Sequence, residues 1–218
     1  MIEQWFPTLI YYDFLDEIDN KSLAKRAYQL HDELNKDVHT QWNCDTWNSL
    51  NTNLFFKDDD IDDVIEQLVN TTILHTEKYA AEYDADLENY KITCTDFWFN
   101  IAQPMNYQEY HQHPNNHFSA VYYVEAQPDS GNIRFKSMDS IATGNTIPTK
   151  VPLGRISGST ETCFYEPQPN KLLIFKSNLL HMVEKNFSDS DRYYLQYRTA
   201  NDDRVRDTHE ALHDITLP

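Results

Sequence analysis

Two stretches within residues 1–90 carry apolar side chains at helical spacing. The first stretch holds four that recur every three or four positions: Leu23, Ala27, Leu30 and Leu34. The second holds five: Ile61, Val64, Ile65, Leu68 and Val69. This period predicts two amphipathic helices. Asp19 or Asn20 is the capping candidate for the first, and the acidic run 58–60 suits the positive end of the second helix dipole. We also predict a short entry strand over 5–12, and loop or irregular edge structure over 40–56.

Beyond Tyr90 the chain changes to short runs rich in Ile, Val, Thr, Phe and Tyr, separated by turn residues. Such runs predict strands, which we place at 92–102, 118–125, 132–136, 162–166, 171–175, 181–184 and 193–198. Many short strands with regular turns are typical of a double-sheet architecture such as a jelly roll. We therefore expect a mainly β (α+β) fold with the helices packed on the outer face of one sheet. The turn at 130–131 and the loop at 147–158 are expected to form mobile rims.

The length of 218 residues suits one structural domain. We divide it into an N-terminal support region (1–90), a β core (91–200) and a polar tail (201–218) that frays or forms a short helix. The chain has three cysteines without paired spacing, which predicts reduced thiols in a cytoplasmic protein. No long apolar run predicts a membrane span. The formal charge of −17 argues against nucleic-acid binding, which depends on clustered Lys and Arg.

One short segment, Tyr110-His111-Gln112-His113-Pro114, is a candidate metal site. In an extended chain alternate side chains share a face, so both imidazoles could bind one ion. A third histidine from far along the chain would complete a facial set of three ligands and leave positions open for cosubstrate and oxygen, as in non-haem iron oxygenases. His181 is the candidate. The alternatives are a solvated surface loop for the histidine pair and a core histidine at position 181.

The order of several motifs resembles the 2-oxoglutarate- and Fe(II)-dependent dioxygenases, specifically their prolyl-4-hydroxylase-like branch. The matching stretches are His111-Gln112-His113, 119–124, 131–135, 172–177, His181 and Arg192. Together they span about 97–198, and uncharacterised relatives share the His-x-His-Pro pattern. The resemblance implies a double-stranded β-helix, the cupin-like form of the jelly roll. It also implies Fe(II) as the metal, 2-oxoglutarate and O2 as cosubstrates, and ascorbate as an optional cofactor. The implied reaction is hydroxylation of an unidentified substrate with release of succinate and CO2.

The resemblance implies that His111 and His181 are iron ligands, and it places His113 where the family has Asp or Glu. A third imidazole leaves more positive charge on the iron than a carboxylate does. Glu109 shares the extended-chain parity of the two nearby histidines and is the alternative third ligand. We prefer His113.

The resemblance further implies that Arg192 binds the distal carboxylate of 2-oxoglutarate. A guanidinium suits this role because it is always charged and can hold a carboxylate through two hydrogen bonds. Tyr123 is the predicted second contact, and Asn100 is predicted to contact 2-oxoglutarate through its amide. The alternatives are a surface ion pair for Arg192, with Asp189 or Asp191, and purely structural hydrogen bonds for Tyr123 and Asn100.

For three further residues we predict only a position in the fold. Trp98 and Phe99 are expected in the core, and Arg198, which shares the strand parity of Arg192, is expected to face the mouth of the site. Two other classes of protein also fit the pattern. One is a three-His cupin that binds Zn, Ni or Fe without 2-oxoglutarate, and the other is a non-catalytic jelly roll. The expected partners are a small-molecule or peptidyl substrate and, as an option, a second copy of the chain.

Overall fold

The structure, a computed structural model, describes residues 7–33, 46–50, 63–137 and 161–201. Within these residues the chain forms two helices, α1 (Asn20–Glu33) and α2 (Asp63–Ala81). Neither helix is long and apolar enough to cross a membrane. The remaining regular structure is β.

Ten strands form two antiparallel sheets in the described residues. In chain order they are β1 (Ile10–Phe14), β2 (Trp47–Asn48), β3 (Ile92–Ala102), β4 (Gln108–His111), β5 (Phe118–Glu125), β6 (Ile133–Lys136), β7 (Thr162–Tyr165), β8 (Lys171–Lys176), β9 (His181–Val183) and β10 (Arg192–Asn201). The larger sheet has the order β1-β8-β5-β10-β3-β2, and the smaller has the order β4-β9-β6-β7. This arrangement is the mainly β jelly roll that the strand pattern predicts.

The outer face of the larger sheet is covered by the two helices. Phe99, Tyr122 and Leu195 of the sheet pack in one buried cluster with Leu23 of α1 and Leu68 of α2. Burying each such side chain contributes about 1.5–3 kcal/mol. The predicted packing of the helices on one outer face is therefore confirmed.

The inner face of the larger sheet meets the smaller sheet in a second cluster. Tyr123 and Phe175 from the larger sheet pack there with Ile133 and Phe135 of β6. Because side chains alternate along a strand, the neighbours of the helix-facing residues point inward. This alternation places the polar residues of the inner face between the two sheets.

Helix α1 begins at a capped end that is bonded to the sheet. The Asp19 Oδ1 atom accepts hydrogen bonds from the backbone N–H groups of Lys21 (3.1 Å) and Ser22 (3.2 Å), which is the bonding of an N-cap residue. Asn20, the other capping candidate, donates from Nδ2 to the Val124 carbonyl at 3.0 Å and accepts from the Tyr122 hydroxyl at 2.8 Å. Asp19 thus caps the helix, and Asn20 ties it to β5.

The seven predicted strands beyond Tyr90 agree with the observed ones to within one residue at each end, except that β10 continues three residues further, to Asn201. Three other strands were displaced or not predicted. The entry strand lies at Ile10–Phe14 instead of 5–12. Trp47–Asn48 forms a two-residue edge strand within the segment 40–56, for which we predicted loop or irregular edge structure. Gln108–His111 forms a strand that was not separately predicted. The acidic run 58–60, the loop 147–158 and residues 202–218 of the tail lie outside the described residues.

The turn at 128–131 is a packed element and not the mobile rim that we expected. Ser130 is 1% exposed. Gly131 has φ +88°, and a Cβ placed there would lie 2.3 Å from the Glu184 carbonyl oxygen and 2.6 Å from that of Lys185. Only glycine allows the backbone to approach the β9 end of the smaller sheet so closely at this φ.

Replacing Gly131 by Ala should therefore reduce the free energy of unfolding by more than about 2 kcal/mol, because the added methyl group meets backbone atoms that cannot turn aside. Asp129, in the same turn, also has positive φ (62°), so Asp129→Gly is the matched control. It should change the free energy of unfolding little. Denaturant unfolding of both variants measures the difference. Equal stability of Gly131→Ala and the wild type would contradict the tight approach.

Candidate metal centre

Three histidines from two distant parts of the chain converge between the two sheets. The nitrogen atoms that His111, His113 and His181 can offer to a metal lie within 4.8 Å of one another. The imidazole centroids of His111 and His181 are 4.2 Å apart, and that of His113 is 5.2 Å from His111 and 5.0 Å from His181. The predicted convergence is confirmed.

Strand pairing brings the first and the last of these histidines together. His111 ends β4 and His181 begins β9, and the two residues are direct partners in the antiparallel register. A break in register between Gln108 and His111 precedes this pair. Side chains of directly opposed residues are neighbours on one face of a sheet, so the pairing alone places two imidazoles side by side.

His113 reaches the cluster by a different route from the one expected. The alternation argument assumed an extended chain, but β4 ends at His111. Past this end, the His113 backbone N–H donates to the Ser177 carbonyl at 2.8 Å, which holds the residue against the end of β8. The side chain is 4% exposed.

A hydrogen bond at Nδ1 orients each imidazole. His111 Nδ1 donates to the Glu109 carbonyl (2.7 Å), and His181 Nδ1 donates to the Leu179 carbonyl (2.8 Å). Because a carbonyl oxygen only accepts, Nδ1 carries the proton in both rings and Nε2 carries the lone pair. Such bonds are typical of metal-binding histidines, whose second nitrogen is held by a protein acceptor.

A pair of serines holds the third imidazole. His113 Nδ1 is 2.7 Å from Ser119 Oγ, and Ser119 Oγ is 2.7 Å from Ser177 Oγ. All three groups are buried. Sequence reasoning gave the serines no role, although both lie in the matched motifs and Ser119 shares the inward parity of Tyr123. That parity was the available signal.

Burial keeps the cluster neutral. Desolvation, with smaller contributions from the neighbouring imidazoles, lowers the pKa of His113 to about 2 and that of His181 to about 3. Desolvation also lowers the pKa of His111, and the charge of Arg198 adds to this effect. Neutral imidazole is the form that binds metal.

The side chain of Glu109 is not part of the cluster of ligand atoms in the described residues. Its backbone carbonyl, instead, accepts the bond from His111. Of the two predicted candidates for a third ligand, only His113 therefore lies with His111 and His181. The surroundings of His181 are apolar: the Phe175 and Phe135 rings lie 4.7 Å and 5.9 Å from its ring.

Arg192 lies fully buried at the start of β10. Its Nη1 donates to the backbone carbonyls of Ser130 and Gly131, while Nε and Nη2 have no hydrogen-bond partner. Arg192 forms no ion pair with a carboxylate among the described residues, and the Asp191 carboxylate accepts instead from the Tyr193 hydroxyl. The predicted alternative of a surface ion pair is therefore wrong.

The hydroxyl of Tyr123 is buried near Arg192 and has no hydrogen-bond partner. Desolvation raises its pKa, and the charge of Arg192 acts in the opposite direction. The hydroxyl is thus a neutral donor. Asn100, on β3, is also on the inner face. Its Nδ2 donates to Gln196 Oε1 at 3.3 Å, while Asn100 Oδ1 and Gln196 Nε2 have no partner.

Trp98 and Arg198 border the cluster on the inner face of the larger sheet. The Trp98 ring lies 6.0 Å from the His113 ring, and the Arg198 guanidinium lies 4.8 Å from the Trp98 ring. Trp98 was expected in the core, and although it is buried it lines the site. Phe99 points the other way, toward the helices.

The unsatisfied buried atoms fit a metal ion and a bound dicarboxylate. His181 Nε2, Arg192 Nε and Nη2, and the Tyr123 hydroxyl are all buried without a partner. Leaving such groups unpaired costs roughly 1–3 kcal/mol each, and native proteins rarely tolerate it. A metal ion would satisfy the imidazole nitrogen, and a carboxylate would satisfy the two donor groups. The residues present therefore fit both Fe(II) and 2-oxoglutarate.

Comparison with known families and structures agrees with this chemistry. Residues 96–197 match the family model described as "Putative 2OG-Fe(II) oxygenase". No curated protein sequence matches the chain.

Three solved structures show the same fold at low identity. A Pseudomonas putida prolyl-4-hydroxylase has a TM-score of 0.58 at 16% identity, over 88% of this chain and 92% of the other. A Trichoplax adhaerens prolyl hydroxylase, in complex with a hypoxia inducible factor peptide fragment, has a TM-score of 0.57 at 13% identity, over 90% and 86%. The carbocyclase SnoK from nogalamycin biosynthesis has a TM-score of 0.58 at 9% identity, over 88% and 79%.

The matched segment contains all three clustered histidines and Arg192. The family match over residues 96–197, the jelly-roll fold and the three-histidine cluster agree with one another, and they make this part of the chain similar to the 2-oxoglutarate- and Fe(II)-dependent oxygenases.

Proposed function

We propose that His111, His113 and His181 bind Fe(II) through Nε2, and that the chain hydroxylates a C–H bond of its substrate. The observation that supports the ligand set most directly is the orientation of the rings. Nδ1 of each one is engaged by a protein group, and the nitrogens available to a metal lie within 4.8 Å of one another. When bound with 2-oxoglutarate and O2, Fe(II) supplies the oxidising chemistry that releases succinate and CO2.

We propose that Arg192 binds the distal carboxylate of 2-oxoglutarate. The bonds from Nη1 to two backbone carbonyls hold the guanidinium in place and leave Nε and Nη2 as the remaining donors. Two parallel hydrogen bonds from a guanidinium suit a carboxylate. The Tyr123 hydroxyl is a third donor, and the amide of Asn100 supplies a further contact.

The unpaired donors of Arg192 and Tyr123 favour this function over a cupin that does not use 2-oxoglutarate. Such a cupin gives Arg192 no ligand. A buried guanidinium with two unused donor atoms would then reduce the stability of the folded protein substantially. Binding of a dicarboxylate would give hydrogen-bond partners to the same atoms. The clustering of the histidines likewise disagrees with a non-catalytic jelly roll.

The cellular setting stays a prediction from the sequence. We propose a cytoplasmic location, supported by Cys94 and Cys163, which are free thiols in the structure. A small-molecule or peptidyl substrate, the use of ascorbate, the formation of a homodimer and the absence of nucleic-acid binding are further proposals of the same kind.

Anaerobic titration of the apoprotein with Fe(II) and 2-oxoglutarate tests the proposed function. We expect a visible charge-transfer band from the chelate. Arg192→Ala should weaken 2-oxoglutarate binding by about a hundredfold or more, because charge-assisted hydrogen bonds are worth roughly 1.5–3 kcal/mol each.

Arg134→Gln is the matched control for that titration. Arg134 lies over the ring of Phe164 and pairs with Glu184, on the side of β6 away from the inner core. Its replacement should leave the 2-oxoglutarate affinity unchanged. No band with the wild type, or an unaltered titration for Arg192→Ala, would rule out the proposed cosubstrate site.

The two serines behind His113 should affect metal binding in graded order. Ser119→Ala removes the group bonded to the imidazole and should weaken Fe(II) binding about tenfold or more, as is usual for partners of metal-binding histidines. Ser177→Ala acts one bond further away, so its effect should be smaller. Competition against a chelator dye under anaerobic conditions measures both. Equal affinities for the two variants and the wild type would show that the serine pair has no part in orienting His113.

The metal-free protein should lose stability as the pH falls below about 6.5, the ordinary pKa of histidine. The pKa values of the buried imidazoles are lower in the folded state, so the unfolded state binds more protons between about pH 3 and 6.5. The free energy of unfolding therefore decreases with falling pH, by up to about 1.4 kcal/mol per pH unit for each such histidine.

His181→Leu isolates this effect, because the side chain lies among Phe135 and Phe175 and leucine suits that environment. Denaturant unfolding in the presence of a chelator, at several pH values between about 4 and 6, gives the slope of the free energy of unfolding against pH. For this variant the slope should correspond to about one proton fewer than for the wild type. An identical slope in the two proteins would contradict the lowered pKa of His181.

A further inference from the structure

A second arginine, Arg198, lies beside the three-histidine cluster. It stands directly opposite Ser119 in the register of β10 with β5, and the Ser119 hydroxyl is the one bonded to His113. The position of Arg198 is therefore one strand away from the residue that holds an imidazole. Its charge also contributes to the lowered pKa of His111 and His113, after the larger effect of desolvation.

The guanidinium of Arg198 is held in place, yet most of its hydrogen-bonding capacity is unused. It lies over the Trp98 ring at 4.8 Å, and that ring contacts His113. The nearest carboxylate oxygen, Asp96 Oδ2, is 3.9 Å from Nη1, which is beyond normal hydrogen-bond length. Nε is buried and has no partner. Stacking on an aromatic ring keeps a guanidinium in one plane and leaves its edge free to bind.

Arg198 and Arg192 occupy different positions on the inner face of β10. They are six residues apart in the sequence, which corresponds to about 20 Å between Cα atoms at roughly 3.3 Å per residue. The Arg192 guanidinium is held at the start of the strand by the carbonyls of Ser130 and Gly131. The distal carboxylate that Arg192 binds in the proposed function therefore does not occupy Arg198, whose hydrogen-bond donors remain for another anion.

The charge around the cluster favours an anion as that ligand. The third imidazole replaces a carboxylate, so a bound Fe(II) keeps one more positive charge than in a site with two histidines and one acid. Arg198 adds another positive charge, which Asp96, 39% exposed and 3.9 Å away, offsets only weakly. The site is thus cationic within a protein whose formal net charge is −17.

We propose that Arg198, stacked on Trp98, binds a carboxylate group of the primary substrate next to the metal centre. This inference rests on the proposed function, and it narrows the substrate class to molecules or peptidyl groups with a free carboxylate near the C–H bond that reacts. Arg198 is then a residue that determines specificity. A planar guanidinium fork selects a carboxylate over the uncharged amide of the same shape.

Matched pairs of probes test the inference: a panel of N-acetyl-L-amino acids and the corresponding primary amides. Each is titrated anaerobically into the protein loaded with Fe(II) and saturating 2-oxoglutarate. Binding is followed by the shift of the chelate band and, independently, by calorimetry. We expect at least one acid to bind the wild type about tenfold or more tightly than its amide, in line with a charge-assisted hydrogen-bonded pair.

Four variants assign the preference to Arg198. Arg198→Gln should abolish the preference for the acid, while the chelate band with Fe(II) and 2-oxoglutarate still forms. Arg198→Lys should retain part of it, because the charge remains but the fork is lost. Asp96→Asn should increase it, since the competing carboxylate is removed. Arg134→Gln, which removes an arginine away from the site, should have no effect.

The outcomes distinguish a failure of this inference alone from a failure of the proposed function. If the chelate band forms but no acid binds more tightly than its amide, or if Arg198→Gln keeps the preference, the carboxylate site is wrong and the oxygenase assignment stands. If the chelate band does not form in the wild type, both fail together.

Discussion

The structure of the site depends on one strand pairing, that of His111 with His181 across β4 and β9. This register places two imidazoles side by side in an apolar layer, where each donates its Nδ1 proton to a backbone carbonyl. A shift of the pairing by one residue would turn one ring to the opposite face of the sheet. The third imidazole is added by the turn after β4, and two buried serines hold it. The neutral, oriented cluster is therefore a consequence of sheet geometry.

Charge balance distinguishes this site from one with a histidine, an acid and a second histidine. Three neutral ligands leave the full charge of a bound divalent ion in a buried layer, and Arg192 and Arg198 lie on the same inner face. Anions are the natural ligands of such a layer. In the proposed function the dicarboxylate cosubstrate pairs with Arg192, and Tyr123 is a neutral donor beside it. Arg198, six residues further along β10, is the proposed position of a second anion.

Much of the fold could be predicted from local patterns, because the alternation of apolar and polar residues reflects which face of a strand is buried. The strands beyond Tyr90 followed from their β-branched and aromatic residues and from the turns between them, whereas Tyr123 and Asn100 were predicted as cosubstrate contacts from the resemblance. The short strand at Trp47–Asn48 did not follow from a local pattern, since a two-residue edge strand exists only through its partner β3. The turn at Gly131 was misjudged as a rim because its burial depends on the distant carbonyls of residues 184 and 185.

For the site, the sequence by itself determined the chemical groups: three histidines and an arginine, in an order and spacing that resemble the oxygenases. Residue type and strand parity are local properties, so they can be read along the chain. Only the tertiary structure placed His113, and not the Glu109 side chain, with the other two histidines. It also buried Arg192 away from a surface ion pair, and it brought Ser119, Ser177, Trp98 and Arg198 to the cluster. These outcomes depend on contacts between residues far apart in the sequence, which are set by sheet register and burial and not by any local pattern.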